Sequence, residues 1–323
     1  MLAVRGVSYL VDDVDSALLR RDVDVIADEL FCNAVMIIGR DRDQLLEAAG
    51  HTLRRGLSVH LRPDATDLDL TGMLDQLAAV AQDAQRMRAE HPDQVVLVVG
   101  SEFSHSVSGI VPAPRSFLRL ALILKAHRLL RRRIDARLPR MLERAAATAR
   151  AHFAGPVTYS AASWENVDWS LFDLVGVSLY RAAGNHADYP ARVAALVRDH
   201  GRPFVVTEFG CGAFTGAQDR GAGSFQIVNW FSEPPRIRGD HPRDEAVQAR
   251  YLSELLDLYD GAGVHGGFVF TYAMPDFPRH DDPAQDLDKA GFALVVTEGD
   301  MLHRKQAFHV VADRYRRALG AAE

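Results

Sequence analysis

Two glutamates stand at the ends of apolar runs that have no internal use for a charge. Glu102 follows strand-like residues in "VVLVVGSEFSHS", and Glu208 interrupts "RPFVVTEFG". Apolar, β-branched runs of this length read as strands buried on both faces, so a carboxylate at the end is delivered to whatever space lies beyond the strand. The two glutamates are 106 positions apart in the chain, and a shared pocket needs a fold that gathers strand ends. Carboxylates facing each other across a pocket are what glycosidic cleavage requires. One protonates the departing oxygen and the other attacks or stabilises the anomeric carbon, and a separation of about 5 to 5.5 Å gives retention through a covalent intermediate.

The elements that would gather them repeat along the chain as a short apolar run, a turn rich in Gly, Asp, Ser or Pro, and an amphipathic helical segment. Eight such runs occur: "RGVSYLV" (5–11), "AVMIIG" (34–39), "LSVHLRP" (57–63), "QVVLVVG" (94–100), "PVTYSA" (156–161), "LVGVSLY" (174–180), "PFVVTEFG" (203–210) and "GGFVFTY" (266–272). Strands of this kind alternating with helices make a parallel sheet, and eight units close a barrel. An open doubly wound sheet would want a phosphate-binding glycine fingerprint after its first strand, where this chain has "LVDDVDSALL". The sequence therefore predicts a (β/α)8 TIM barrel of the α/β class, with residues 1–323 as one domain. Asp15 and Ser16 are placed to cap the first helix, and Gly56 to end the second.

In such a barrel the strand C-termini open onto one face. The residues expected around that mouth are Tyr9, Arg40, His60, Arg62, Glu102, Trp164, Tyr180, Glu208 and Tyr272. Trp164 and Trp230 offer flat surfaces for the C–H faces of a sugar. His60 and Arg62 are suited either to sugar hydroxyls or to tying down loops. The 35-residue span from Cys211 to Glu245 is long for a barrel connection, and such loops line or cover sites.

Composition narrows the partners. With 48% hydrophobic and 25% charged residues, 323 residues bury a large core, and a net charge of −6 argues against nucleic acid or an anionic membrane surface. The densest basic run, residues 127–140, carries Leu122, Ala126, Leu129, Leu130, Ile134 and Leu138 on or near it at helical spacing, which predicts arginines on the solvated side of an amphipathic helix. The start of the chain does not read as a leader, no apolar run approaches the ~20 residues that span a bilayer, and two cysteines, Cys32 and Cys211, fit a reducing compartment. A cytoplasmic protein is the expectation. His105, His280, Asp281, Asp282, Asp286 and Asp288 gather potential metal ligands, but without a compact ligand spacing. Neither a metal nor a cofactor is expected.

Glutamates at the ends of strands four and seven of a (β/α)8 barrel resemble clan A of the glycoside hydrolases. The wording is similar to mannanase-like and galactanase-like members in "TYSAASWENVDWSLFDLVGVSLY", "RPFVVTEFG" and "DEAVQARYLSELLDLYDGAGVHGGFVFTY". The resemblance covers nearly the whole chain and implies a retaining hydrolase with Glu102 as general acid/base and Glu208 as nucleophile. It also implies that Tyr180 hydrogen-bonds Glu208, and that the partner is a small glycoside or oligosaccharide. Two positions depart from the clan's pattern: Ser101 precedes the acid/base where Asn is usual, and Tyr272 stands near the end of strand eight where Trp is common. Ser101 and His105 join the expected substrate contacts. Two alternatives keep the barrel: acid/base chemistry on a small biosynthetic metabolite, and ligand binding without catalysis.

Overall fold

The computed structural model describes residues 1–298 and 301–320. Each apolar run forms a strand: β1 Val4–Leu10, β2 Ala34–Gly39, β3 Ser58–Pro63, β4 Val95–Ser101, β5 Val157–Ser160, β6 Val175–Ser178, β7 Phe204–Phe209 and β8 Gly266–Val269. All pair in parallel, in the order β5-β4-β3-β2-β1-β8-β7-β6. The seam between β5 and β6 is joined through Ala161, whose N–H donates to Gly176 O at 3.0 Å and whose carbonyl accepts from Ser178 N at 2.9 Å. The sheet thus closes into the expected (β/α)8 barrel, which removes the exposed edges of an open sheet.

Helices α1 Ser16–Asp28, α2 Arg42–Arg54, α3 Leu70–Glu90, α4 Ser116–His152, α5 Tyr189–Asp199, α6 Glu245–Ala262 and α7 Gln306–Gly320 pack around it. Asp15 caps α1, accepting from Ala17 N at 2.8 Å, and Gly56 takes the left-handed conformation (φ +76°) just after α2. The fifth unit departs from the repeat: β5 is followed by only a 3-10 turn, Trp169–Leu171, before β6. The barrel interior is filled by residues such as Met36, Ile38, Val98 and Phe268. Gly6 makes room for this filling, since a Cβ there would lie 2.3 Å from the Phe268 ring.

Two expectations change here. The apolar stripe through the basic run holds only for its second half. Ile134 and Leu138 are buried, whereas Leu122 is 38% and Leu129 84% exposed. Ala126 breaks α4 with non-helical angles (φ −136°, ψ 29°), and the buried face is reset across the kink. His60 does not reach the mouth either. It is buried in the barrel with its ring 4.6 Å from that of Phe268, centroid to centroid, and burial pushes its pKa down to about 3. It is a neutral filler below the pocket, not a sugar contact.

Candidate active site

Both glutamates reach the mouth through irregularities in their strands. Against β5, strand β4 carries one extra residue between Val98 and Ser101. Against both β6 and β8, strand β7 carries one extra residue after Val206. A bulge of this kind re-aims the side chain that follows it. Glu102 is further turned by its own backbone, which adopts the left-handed conformation (φ 47°, ψ 48°) that non-glycine residues seldom take.

The surroundings hold Glu102 in that conformation. Its N–H donates to Ser160 O at 2.8 Å, and the one-turn helix Phe103–Ser106 begins immediately after it. Phe103 is buried over Gly100, where a Cβ would come within 2.2 Å of its ring. The Phe103 N–H donates to Tyr159 Oη at 2.6 Å, and Tyr159 in turn donates to Glu165 at 2.8 Å. Glu165 also accepts from Ser104 N at 2.8 Å and Ala162 N at 3.0 Å. Burial pushes the Glu165 carboxyl above its ordinary range, opposed by the bonds from Ser104. Arg119, fully buried at the start of α4, ties the following loop down by donating to the carbonyls of His105, Ser106 and Ala113 and to Asp67.

Glu102 Oε2 lies 2.7 Å from His105 Nε2, and His105 Nδ1 lies 2.9 Å from Ser116 Oγ. Burial alone would lower the His105 pKa, but the hydrogen bond and charge of Glu102 outweigh it, and the net direction is upward. His105 therefore contacts the carboxylate where a sugar contact was expected.

Glu208 is 9% exposed and has a different partner on each oxygen. Arg62 Nη1 donates to Oε1 in a buried ion pair, and the Tyr180 hydroxyl donates to Oε2 at 3.1 Å. Burial and the adjacent carboxylate charges raise the Tyr180 pKa well above its ordinary value, so the phenol stays protonated and keeps donating. The two donors fix the orientation of the Glu208 carboxyl, one on each oxygen.

Glu102 and Glu208 border one cleft. Towards β3 it is lined by polar groups including Arg62, Asp64, Thr66 and Ser101. Towards β5 and β6 it opens into a space of about 580 Å³ where Trp164 and Tyr180 form part of the wall. Trp164 is anchored by its indole N–H, which donates to Ser104 Oγ at 3.0 Å. Arg40 stands at a further extension of the cleft, exposed and paired with Asp64 at 2.9 Å. Trp230 is 46% exposed and packs edge-on against Phe277, which itself lines the cleft.

Tyr9 and Tyr272 are elsewhere. Both are buried in an edge-to-face pair with centroids 5.5 Å apart, and both hydroxyls donate to buried Asp22 of α1, at 2.9 and 3.3 Å. The residue that comes off β8 into the cleft is Phe270, which sequence reading did not single out. Period-two alternation from Phe268, which fills the barrel, carries both Phe270 and Tyr272 on one face, so the pattern alone does not separate them. Glu165, Tyr159 and Arg119 carried no local signal, because their role depends on contacts between separate loops.

Three carboxylates of the loop after β8 are paired with cations of the protein. Asp286 and Asp288 pair with Arg243, Asp288 also pairs with Lys305 at 2.8 Å, and Asp282 pairs with Arg236. Cys211 is buried, and burial pushes its thiol pKa upward, away from a reactive thiolate.

No family model and no curated protein matches the sequence. Solved structures do match. A GH113 beta-1,4-mannanase aligns with a TM-score of 0.66 at 16% identity, covering 98% of this chain and 99% of its own. The GH113 beta-mannanase from Alicyclobacillus acidocaldarius, in complex with ManMIm, aligns at 0.63 and 16%, covering 98% of each chain. Beta-glucuronidase 2 from Bacteroides uniformis, covalently bound to cyclophellitol-6-carboxylate aziridine, aligns at 0.61 and 17%, over 97% of this chain and 35% of its own. The chain is thus similar in fold to the (β/α)8 barrels of these glycoside hydrolases.

Proposed function

We propose that the protein is a retaining glycoside hydrolase acting on a small glycoside or oligosaccharide, with Glu102 as general acid/base and Glu208 as nucleophile. The observation that carries this reading is the asymmetry between two carboxylates on one cleft. Glu208 is buried between a guanidinium and a phenol that both donate to it, which suits a group that must be ionised to attack the anomeric carbon. Glu102 sits beside an imidazole, able to exchange a proton as the reaction needs. Similarity in fold to mannanases and glucuronidases supports the substrate class, and the buried, unpaired Cys32 and Cys211 accord with a cytoplasmic setting.

In this mechanism the sugar ring lies between the carboxylates. Glu102 protonates the departing oxygen while Glu208 attacks C1, and Glu102 then takes a proton from the water that releases the sugar. Arg62 and Tyr180 hold Glu208 in line, and Phe270 forms the apolar wall at the end of β8. Ser101, with its shorter side chain, stands where the clan's Asn would contact the 2-hydroxyl.

A panel of 2-deoxy-2-fluoro gluco, manno and galacto glycosides tests the reading. One of them is expected to add the mass of a single sugar to the wild-type protein and none to Glu208→Gln, because the fluorine slows release of the covalent intermediate. The His105 contact also favours a second reading, in which Glu102 acts as a base on a small biosynthetic metabolite. Absence of both adduct and hydrolysis across the panel would replace the first reading with this one.

A further inference from the structure

The two sides of the cleft differ in chemistry. The β3 side presents directional groups, Arg62, Asp64, Thr66 and Ser101, of the kind that sugar hydroxyls need. The other side is walled mainly by Leu120, Leu124, Trp164, Phe225, Met274 and Phe277. Away from Glu102, His105, Tyr180 and Glu208, its polar side chains are Ser163, Ser178 and the solvent-exposed Arg220 and Gln226. Leu120 and Leu124 are four residues apart on the first segment of α4, before the kink at Ala126, and so occupy one face of that helix. Leu124 remains 55% exposed although it borders a cavity of about 580 Å³. A second sugar seated against Leu120, Leu124 and Phe277 would find no hydrogen-bond partner there for the hydroxyls on that side, which is costly once water is displaced.

Resting on the hydrolase reading of Glu102 and Glu208, we infer that this apolar side is the leaving-group subsite and that it accepts an alkyl chain, so that the substrate is an amphiphilic glycoside. The sugar sits on the polar side against Arg62 and Ser101. The glycosidic oxygen lies at Glu102, and the chain runs from it over Trp164 towards Leu120 and Leu124. Trp164 is fixed for this purpose, since its only polar atom is occupied by Ser104, two residues beyond Glu102. Its remaining ring surface is apolar wall. The chain leaves as an alcohol, which takes the proton from Glu102 as the bond to C1 passes to Glu208.

Binding separates this inference from catalysis. Calorimetry on Glu208→Gln is run with methyl and octyl β-D-mannoside, methyl and octyl β-D-glucoside, and mannobiose, with the octyl compounds below their micelle concentrations. Each methylene placed on apolar surface is worth about 0.8 kcal/mol, or about fourfold in affinity, so three seated methylenes give octyl over methyl by roughly 60-fold. The octyl glycoside of the accepted sugar should also bind more tightly than mannobiose. Leu124→Asn should lower octyl affinity about tenfold, while Leu129→Asn, on an exposed residue beyond the kink, should leave it unchanged. Equal affinity for octyl and methyl glycosides, or tighter binding of mannobiose, overturns the inference, as does an octyl preference that both leucine variants reduce alike. If octyl glycosides bind selectively but the wild-type protein cleaves none of them, the subsite stands and the hydrolase reading falls.

Discussion

Arg62 and Glu208 form an ion pair almost out of water, with side chains 9% and 11% exposed, and its strength can be tested without knowing the substrate. Replacing Arg62 by Met keeps an apolar stem and removes the guanidinium. Glu208 would then retain only the Tyr180 hydroxyl as a partner, at 3.1 Å. Leaving one member of a buried pair uncompensated costs about 3–5 kcal/mol, whereas replacing both members by neutral groups is often close to neutral. Arg62→Met and Glu208→Gln should therefore each destabilise the fold by about 3 kcal/mol or more, because in the second variant Arg62 is the unpaired charge. The double variant should lie within about 2 kcal/mol of wild type, a coupling of roughly 4 kcal/mol or more. Urea denaturation followed by circular dichroism measures all four corners of the cycle. Single effects that add to within about 0.5 kcal/mol would show that the two charges do not support each other, and would remove the physical basis for Glu208 as an anion held in place.

Two more perturbations probe the groups around the carboxylates. Tyr180→Phe deletes one hydrogen bond to an ionised oxygen, worth about 1.5–3 kcal/mol, so kcat/KM for the accepted glycoside should fall roughly 10- to 150-fold with the fold intact; an unchanged value would remove Tyr180 from the site. His105 has a pKa raised above its ordinary value of about 6.5, so the stability it contributes is fully present below that pH and is lost as pH rises through the raised value. The difference in melting temperature between wild type and His105→Asn should accordingly be larger at pH 5.5 than at pH 8.5, and a difference independent of pH would mean that His105 does not share a proton with Glu102.

The particular residues that were legible in advance have a common physical basis. Eight apolar runs, a capping Asp15 and the terminating Gly56 are local signals, set by hydrophobic period and backbone preference within a few residues, and they suffice to specify a barrel. Barrel topology then sends strand ends to one face, which is why Glu102, Glu208, Tyr180, Arg62, Ser101 and Trp164 could be brought together on paper and do border one cleft. What the strands do at their last residues was not local. Whether Tyr272 or Phe270 enters the pocket depends on where β8 stops and on Asp22 of α1, which holds both Tyr9 and Tyr272. His60 and Arg62 share one face of β3, and two residues of depth separate a neutral histidine in the core from an arginine paired with Glu208. His105 meets Glu102 because a left-handed residue and a single helical turn fold the chain back, and that turn is braced by Tyr159, Glu165 and Arg119 from other parts of the chain. Sequence alone determined the barrel and the face onto which its strand ends open, because both follow from periodicity. Only the tertiary structure decided which side chains touch, because one-residue bulges in β4 and β7 and contacts between distant loops redirect side chains by distances that no local pattern records.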